Sequence, residues 1–364
     1  MNLKSSLIVS SLFLFLGIKL FSQDYNKLNV NETIKVNYEP YVWRIGSPET
    51  YNIDKVKLDA FFERISEWEN LQSILVIKDD KLILEKYYKN TDKYSAFNTY
   101  SITKSFTSAL IGIAIKQKLI ASETDKMITY FPDYLDRIND PRKGDLTLKH
   151  LLTMTGGLKP EEWWNPSIDY ALLEAPIDTT PGSKFLYYNA LPHLLSAIIS
   201  KSTNLSIKEY AEQYLFKPLE IKCAYWKKDG EYYSGRSNTY FTPRDLARLG
   251  SLYLNKGKIN GEQIIDSLWV EKSFINYSDS DENFFLTDQS LKQTGYGYLW
   301  WIFDANNIVY YSAYGAGDQF LLINPLDNTI VVISQIYKET WFEKKEDIDK
   351  VSELLSIINN KNEE

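Results

Sequence analysis

Only one cysteine, Cys223, and two histidines, His150 and His193, occur in 364 residues. A lone cysteine cannot close an intrachain disulfide, and three such side chains offer too little soft-ligand chemistry for a zinc site. They also leave few candidates for a histidine-dependent catalytic triad. A positive excess is missing as well: 41 Lys+Arg stand against 48 Asp+Glu, a net charge of −7. The electrostatic footprint of a nucleic-acid binder is therefore absent. No G-x-S-x-G elbow occurs, which argues against an α/β-hydrolase. Long apolar runs are scarce, and only the N-terminus carries one. What is there is ordinary for a packed chain, 44% hydrophobic, 15% aromatic and 24% charged, and this excludes disordered, collagen-like and coiled-coil classes. The length suits two domains, or one with a large insertion.

The N-terminal run has the parts of a secretory signal over residues 1–22: Lys4 in the n-region, Leu7 to Leu16 as the apolar stretch, and Ser22 before a cut at Gln23. Export to a periplasm or beyond is the expectation. A retained anchor is the rival, but the run is short for a span of about 20 residues and Lys19 interrupts its end. After cleavage no second segment could span a membrane.

Gln72 to Tyr88 groups β-branched and aromatic residues around Asp79-Asp80, the pattern of a β-hairpin. From Ile102 the period changes: Ile102, Phe106, Ala109, Leu110 and Ile113 predict a buried helix opened by Ser101. Helices are expected at Leu148 to Leu152, Leu191 to Ser200, Ile207 to Leu215 and Arg244 to Leu254. Strands return at Tyr296 to Phe303, Ile308 to Tyr314, Gln319 to Ile323 and Thr329 to Gln335. A last helix carries Ile348, Val351, Leu355 and Ile358 on one face, and Glu343 to Lys350 reads as its solvated start. This order predicts an α/β (α+β) fold: a discontinuous α/β domain of residues 71–118 and 293–364, a mostly helical insertion of residues 119–292, and a leader of residues 23–70 packed on the core. The cleft is expected where the two parts meet, near Ser101 and Tyr314.

Ser101-Ile-Thr-Lys104 places a hydroxyl and an amine one helical turn apart on one face. A serine attacks only when a neighbour takes its proton, and a lysine can do so only where burial or adjacent charge favours its neutral form. The helix start also aims backbone N–H groups at charge developing beside Ser101. The alternative is a capping serine and a surface lysine. Tyr187-Tyr188-Asn189 follows a Pro181-Gly182 turn. A tyrosine near the lysine can shuttle a proton, and an asparagine can orient the lysine and bind a substrate amide. The alternative is that these are wall aromatics.

Six blocks in order, Ser101-x-x-Lys104, Leu146 to Leu158 (LTLKHLLTMTGGL), Pro181-Gly-x-x-Phe-x-Tyr187-x-Asn189, Thr242 to Gly250 (TPRDLARLG), Gly295 to Trp301 (GYGYLWW) and Tyr314 to Phe320 (YGAGDQF), resemble the serine β-lactamase and penicillin-binding-protein superfamily. The likeness runs from about Leu75 to Val332 and is strongest to the esterase, amidase and D-peptidase branch. It implies a β-lactamase-like fold, an antiparallel sheet flanked by helices, with neither cofactor nor metal. By this resemblance Ser101 is the acylated nucleophile, Lys104 its base, Tyr187 the second proton-transfer group and Asn189 a substrate-orienting residue. Gly315 falls on the last position of the family's K-T-G strand. The N–H of Ala316 would join that of Ser101 in an oxyanion hole, and Tyr314, Gly315, Ala316 and Gly317 border the substrate.

Two departures matter. Ala313-Tyr314-Gly315 lacks the cation and hydroxyl that grip a substrate carboxylate, which favours small esters or amides without one, as in the branch resembling aminohexanoate-dimer hydrolases and carboxylesterases. Asp318 stands where relatives commonly have glycine and reads as an exposed turn aspartate, with a carboxylate that repels oxyanion charge or contacts a cationic substrate as the alternative. Trp163-Trp164 and Trp300-Trp301 read as core packing, with an acyl pocket as the alternative; His150 and His193 read as structural. The expected partner is a small ester, amide or short peptide, and oligomeric state is not legible. Three other functions stay open: a catalytically silent binding or sensor protein, a D-amino-acid peptidase or β-lactamase, and an envelope component acting through aromatic surface.

Overall fold

The computed structural model describes residues 31–159, 165–278, 290–338 and 346–359. In chain order it contains β1 (Ile34–Lys35), β2 (Arg44–Ile45), α1 (Lys55–Arg64), β3 (Leu71–Lys78), β4 (Lys81–Tyr87), β5 (Ser95–Asn98), α2 (Thr103–Lys116) and α3 (Leu148–Leu152). Then come α4 (Ala190–Thr203), α5 (Ile207–Ala211), α6 (Lys217–Leu219), β6 (Tyr225–Trp226), β7 (Lys228–Asp229), β8 (Tyr232–Tyr233), β9 (Thr239–Phe241), α7 (Pro243–Leu254), β10 (Lys258–Ile259), β11 (Glu262–Gln263) and α8 (Ser267–Ser273). The chain closes with β12 (Lys292–Tyr296), β13 (Trp301–Ala305), β14 (Ile308–Gly315), β15 (Gln319–Asn324), β16 (Thr329–Gln335) and α9 (Glu346–Ile358).

The main sheet has eight strands in the order β12-β13-β14-β15-β16-β3-β4-β2. Hairpin β3/β4 turns at Asp79 and Asp80, whose φ values of 46° and 56° are left-handed, a conformation short acidic side chains tolerate. The β16–β3 pairing, with Val332 opposite Leu75, joins the N-terminal hairpin to the C-terminal strands. All pairings are antiparallel except β2 on β4. Because side chains alternate along a strand, Ala313, Gly315, Leu321, Ile323 and Ile330 share one face. Helix α7 packs there, so closely that a Cβ on Gly250 would lie 3.0–3.1 Å from Ile330, Ile323 and Leu321. The other face carries Tyr310, Tyr314 and Phe320, with α9 beyond it: Asn359, just past that helix, bonds the Tyr310 hydroxyl.

Helix α2 is buried from Thr103 to Ala114. It spends its polar side chains on neighbours: Ser105 Oγ donates to the Leu299 carbonyl (2.7 Å) and Thr107 Oγ1 to that of Gly235 (2.8 Å). A small sheet that periodicity did not announce, β1-β5-β9-β6, joins leader strand β1 to three strands lying between the hairpin and β12, each of two to four residues. Two expected elements differ. The segment from Tyr296 to Phe303 is two strands with a turn between, because Gly297 N–H bonds the Trp300 carbonyl (2.8 Å) and Leu299 is left-handed at φ 59°. The helix predicted from Ser101 starts at Thr103, after a 3-10 turn over Tyr100–Ile102. The last helix buries Ile348, Val351, Leu355 and Ile358 as its spacing predicts.

Block Thr242 to Gly250 turns out to anchor the leader. Asp245 Oδ1 accepts the Tyr41 N–H (2.8 Å), the Arg244 carbonyl accepts Trp43 Nε1 (3.1 Å), and the Arg248 guanidinium lies 3.9 Å above the Tyr41 ring. Among the described residues no helix is long and apolar enough to cross a membrane. Residues 1–22 and Trp163-Trp164 lie outside the described residues.

Candidate active site

Tyr100 is left-handed at φ 45°, an unusual conformation for a bulky residue. It opens the 3-10 turn that follows β5 and presents Ser101. Beneath the turn, Thr239 Oγ1 lies 2.7 Å from Thr99 Oγ1 and 2.9 Å from Thr103 Oγ1, and Thr103 Oγ1 donates to the Tyr100 carbonyl (2.7 Å). This buried hydroxyl trio ties the turn, the first residue of α2 and β9 together. Sequence reasoning missed it; the i,i+4 pair Thr99 and Thr103 was the one local trace.

The helical spacing brings Lys104 Nζ to 2.8 Å from Ser101 Oγ. Its second partner is the Arg236 main-chain carbonyl, also at 2.8 Å. Lys104 is 1% exposed. Burial, and then the charge of Arg236, pull its proton affinity well below the ordinary lysine range. The amine lies 4.9 Å from the centre of the Tyr187 ring. Tyr187 is held by an aromatic cage, stacked on Trp301 at 5.3 Å and edge-on to Tyr296 at 6.1 Å. Burial raises its phenol above the usual tyrosine range, and a hydrogen bond with Ser101 acts in the opposite sense. Both shifts favour the uncharged forms, amine and phenol, with the serine between them. Asn189 is half-buried at the N-terminus of α4, two residues on.

Gly315 closes the other side. A Cβ there would fall 2.4 Å from the Thr99 carbonyl oxygen and 3.1 Å from Ser101 N. The strand end thus runs against the nucleophile's own backbone, and Ala316, half-exposed, follows it. Gly317 (φ 74°) and Asp318 (φ 55°) make the left-handed turn into β15. Tyr314 is not brought together with Ser101 by its side chain. It points to the α9 face and packs on Phe320 at 4.8 Å.

Asp318 corrects the expectation of an exposed turn residue. It is 2% exposed, and Oδ1 accepts the Tyr314 hydroxyl at 2.7 Å. Around it, Gln335 Nε2 donates to the Asp318 carbonyl (3.1 Å) and Gln319 Nε2 to the carbonyls of Gln335 (2.6 Å) and Gly317 (3.1 Å). The turn is pinned from both ends. Trp300 is core, 4.5 Å from the Tyr253 ring. His150 Nδ1 accepts the Thr147 N–H (3.2 Å) in a helix cap, and His193 is buried on α4. Among the described residues no group of three or more His, Cys, Asp and Glu side chains is placed to hold a metal ion.

Sheet, buried central helix and serine–lysine–tyrosine cluster together define a β-lactamase-like fold. Residues 71–348 match the model of the Beta-lactamase family, and the chain belongs to that family. It is 29% identical over 224 residues to an uncharacterized protein of Alkalihalophilus pseudofirmus, covering 54% of this chain and 62% of that one. It is 24% identical over 210 residues to an Escherichia coli K12 protein provisionally described as a D-alanyl-D-alanine carboxypeptidase, covering 48% of each. The chain thus spans about half to three-fifths of the length of these curated relatives. Two solved structures share the fold. One, provisionally described as a β-lactamase from Bacteroides dorei DSM 17855, superposes with a TM-score of 0.70 at 18% identity, over 84% of this chain and 99% of that one. The other, provisionally described as a 6-aminohexanoate-dimer hydrolase from Bacillus anthracis, gives 0.62 at 22% identity, over 82% and 79%.

Proposed function

We propose that this protein is an exported serine hydrolase that acts on small esters or amides through an acyl-enzyme on Ser101. The observation that carries the reading is the 2.8 Å contact between Ser101 Oγ and the Nζ of a lysine whose charged form is disfavoured. A neutral amine beside a hydroxyl is a base in place.

In acylation Ser101 Oγ bonds to the substrate carbonyl carbon and its proton passes to Lys104 Nζ. The carbonyl oxygen takes the negative charge, facing the N–H groups of Ser101 and Ala316. When the bond to the leaving alcohol or amine breaks, that group takes a proton from the Tyr187 hydroxyl, which is refilled from Lys104. Tyr187 is suited to relay rather than to abstract, because burial keeps its phenol protonated. Deacylation reverses the flow: water gives a proton to the same pair as it attacks the ester carbonyl, and Ser101 regains its own.

Specificity follows from Ala313-Tyr314-Gly315. With Tyr314 on the opposite face of the sheet, neither a cation nor a hydroxyl from this triplet reaches the cleft to hold a carboxylate. The test is a substrate panel. Short-chain aryl esters and anilides should turn over with kcat/KM at least tenfold above a D-alanyl-D-alanine peptide and a penicillin. Preference for the carboxylate-bearing pair would refute the substrate class and favour a peptidase.

A further inference from the structure

We propose that Arg236 is a positioning residue for Lys104: its main-chain carbonyl holds the amine, and its guanidinium keeps beside that amine a cation whose charge Asp229 tempers. The proposal rests on the reading of Lys104 as the base. Arg236 lies outside all six sequence blocks, in the turn before β9, and is 1% exposed.

A neutral amine has two N–H bonds and one lone pair. The Arg236 carbonyl can only accept, so it takes one N–H at 2.8 Å; this orients the amine so that its lone pair can face the Ser101 hydroxyl. The arginine is itself held rigidly. Its Nη1 donates to the Pro166 carbonyl at 2.7 Å, and Nη2 pairs with Asp229 on β7. Asp229 keeps 30% of its side chain exposed, so the ion pair is lopsided: the cation is fully desolvated and its partner partly hydrated. Burying an arginine in this way is a poor source of stability. Its use is the field it places on its neighbours. That field disfavours a charge on Lys104, and it acts the same way on His193, whose imidazole is lowered to about 4 by burial first and Arg236 second. The titratable and charged groups around the amine are Tyr187 before α4, Arg236 before β9, and behind the arginine His193 on α4 and Asp229 on β7. Above pH 5 His193 is neutral, so Arg236 and Asp229 set the charge balance.

The experiment measures Ser101 labelling by a fluorophosphonate against pH for the full chain, Arg236→Gln and Asp229→Asn. Arg236→Gln keeps the carbonyl and removes the cation, so Lys104 holds its proton to higher pH. The acidic limb should rise by roughly one pH unit, the order of shift a nearby buried unit charge gives in an effective dielectric of about 20. Asp229→Asn leaves the cation untempered and should move the limb the other way by less. Opposite shifts support the proposal, since a merely structural role would not reverse sign. Limbs that stay put, or both move in one direction, overturn it. If Arg236→Gln fails to fold, Asp229→Asn alone decides by the sign of its shift. If the native chain gives no Ser101 adduct, the hydrolase reading fails, and the arginine is judged by unfolding free energy between pH 5 and 10. Where an unfolded-state lysine binds a proton that buried Lys104 does not, stability rises with pH. Arg236→Gln should start that rise at higher pH; an onset that does not move overturns the proposal.

Discussion

Replacing Gly315 with alanine tests whether the end of β14 and the Ser101 turn form one rigid assembly. The added Cβ would sit 2.4 Å from the Thr99 carbonyl oxygen, 3.1 Å from Ser101 N and 3.2 Å from Tyr100 Cβ. Non-bonded heavy atoms settle near ~3.5 Å, so one side must retreat by about 1 Å. Thr99 is the harder to move. Its N–H donates to the Thr239 carbonyl (2.9 Å), and its hydroxyl belongs to the buried trio. Strand β14 is fixed in turn by its ladder to β15 and by the pinned turn at Asp318. Overpacking of this kind costs about 1–3 kcal/mol. A displacement of about 1 Å at a reacting centre costs on the order of a hundredfold in rate. The assay is the rate of fluorophosphonate labelling at Ser101, with a denaturant melt on the same sample. Gly144→Ala is the control, since nothing lies within 4 Å of its Cβ. A well-folded Gly315→Ala protein that labels at the native rate would refute the close-approach argument.

Two further predictions concern groups the site holds at a cost. Lys104→Met should abolish labelling yet raise unfolding free energy at pH 7 by on the order of 1 kcal/mol, because it replaces a buried amine whose neutral form is enforced by burial. Since the lysine is lowered in the folded state, its penalty shrinks as pH rises toward the unfolded lysine range, so the gain should fade between pH 7 and 10; a gain independent of pH would contradict the assignment. Asp318→Ala leaves the buried Tyr314 hydroxyl without its acceptor and should cost about 1–3 kcal/mol, whereas Asp318→Asn, which keeps an acceptor oxygen and tolerates the left-handed φ, should cost less. Equal losses in denaturant melts would mean that the hydroxyl contact is not what holds the turn.

Much of this was legible where the signal is periodic. Helical spacing alone puts Ser101 and Lys104 side by side, and alternation alone marks the hairpin at Asp79-Asp80. The apolar stretch from Phe106 onward marks a buried helix, but a surface position for Lys104 in its first turn stayed open until the contacts with Ser101 and Arg236 were seen. What escaped was made by contacts between residues far apart in the chain. Arg236 reaches Lys104 across more than a hundred residues, and nothing in the spacing around it marks a ligand for the amine. The Thr99, Thr103 and Thr239 trio joins two elements in the same way. Trp300-Trp301 reads as continuous strand because aromatic residues favour strands, yet close packing at Gly297, whose Cβ would lie 1.9 Å from the Ser273 carbonyl oxygen, bends the chain into a turn there. Asp318 obeys turn chemistry in its backbone, but its burial depends on Tyr314 and on two glutamines from neighbouring strands. The block from Thr242 to Gly250 was found as a motif and its role was not: Asp245 and Arg248 hold Tyr41 of the leader, and Arg244 pairs with Glu85 on β4.

The proposed mechanism requires an acyl-enzyme on Ser101, formed with the help of Lys104. Its most direct test is intact mass after brief exposure of the protein, Ser101→Ala and Lys104→Ala to an activated short-chain ester, followed by peptide mapping. One acyl group per chain is expected on Ser101, none in Ser101→Ala, and formation slowed by at least a hundredfold in Lys104→Ala. A native protein that folds and stays unacylated, or acylation that persists in Ser101→Ala, would contradict it.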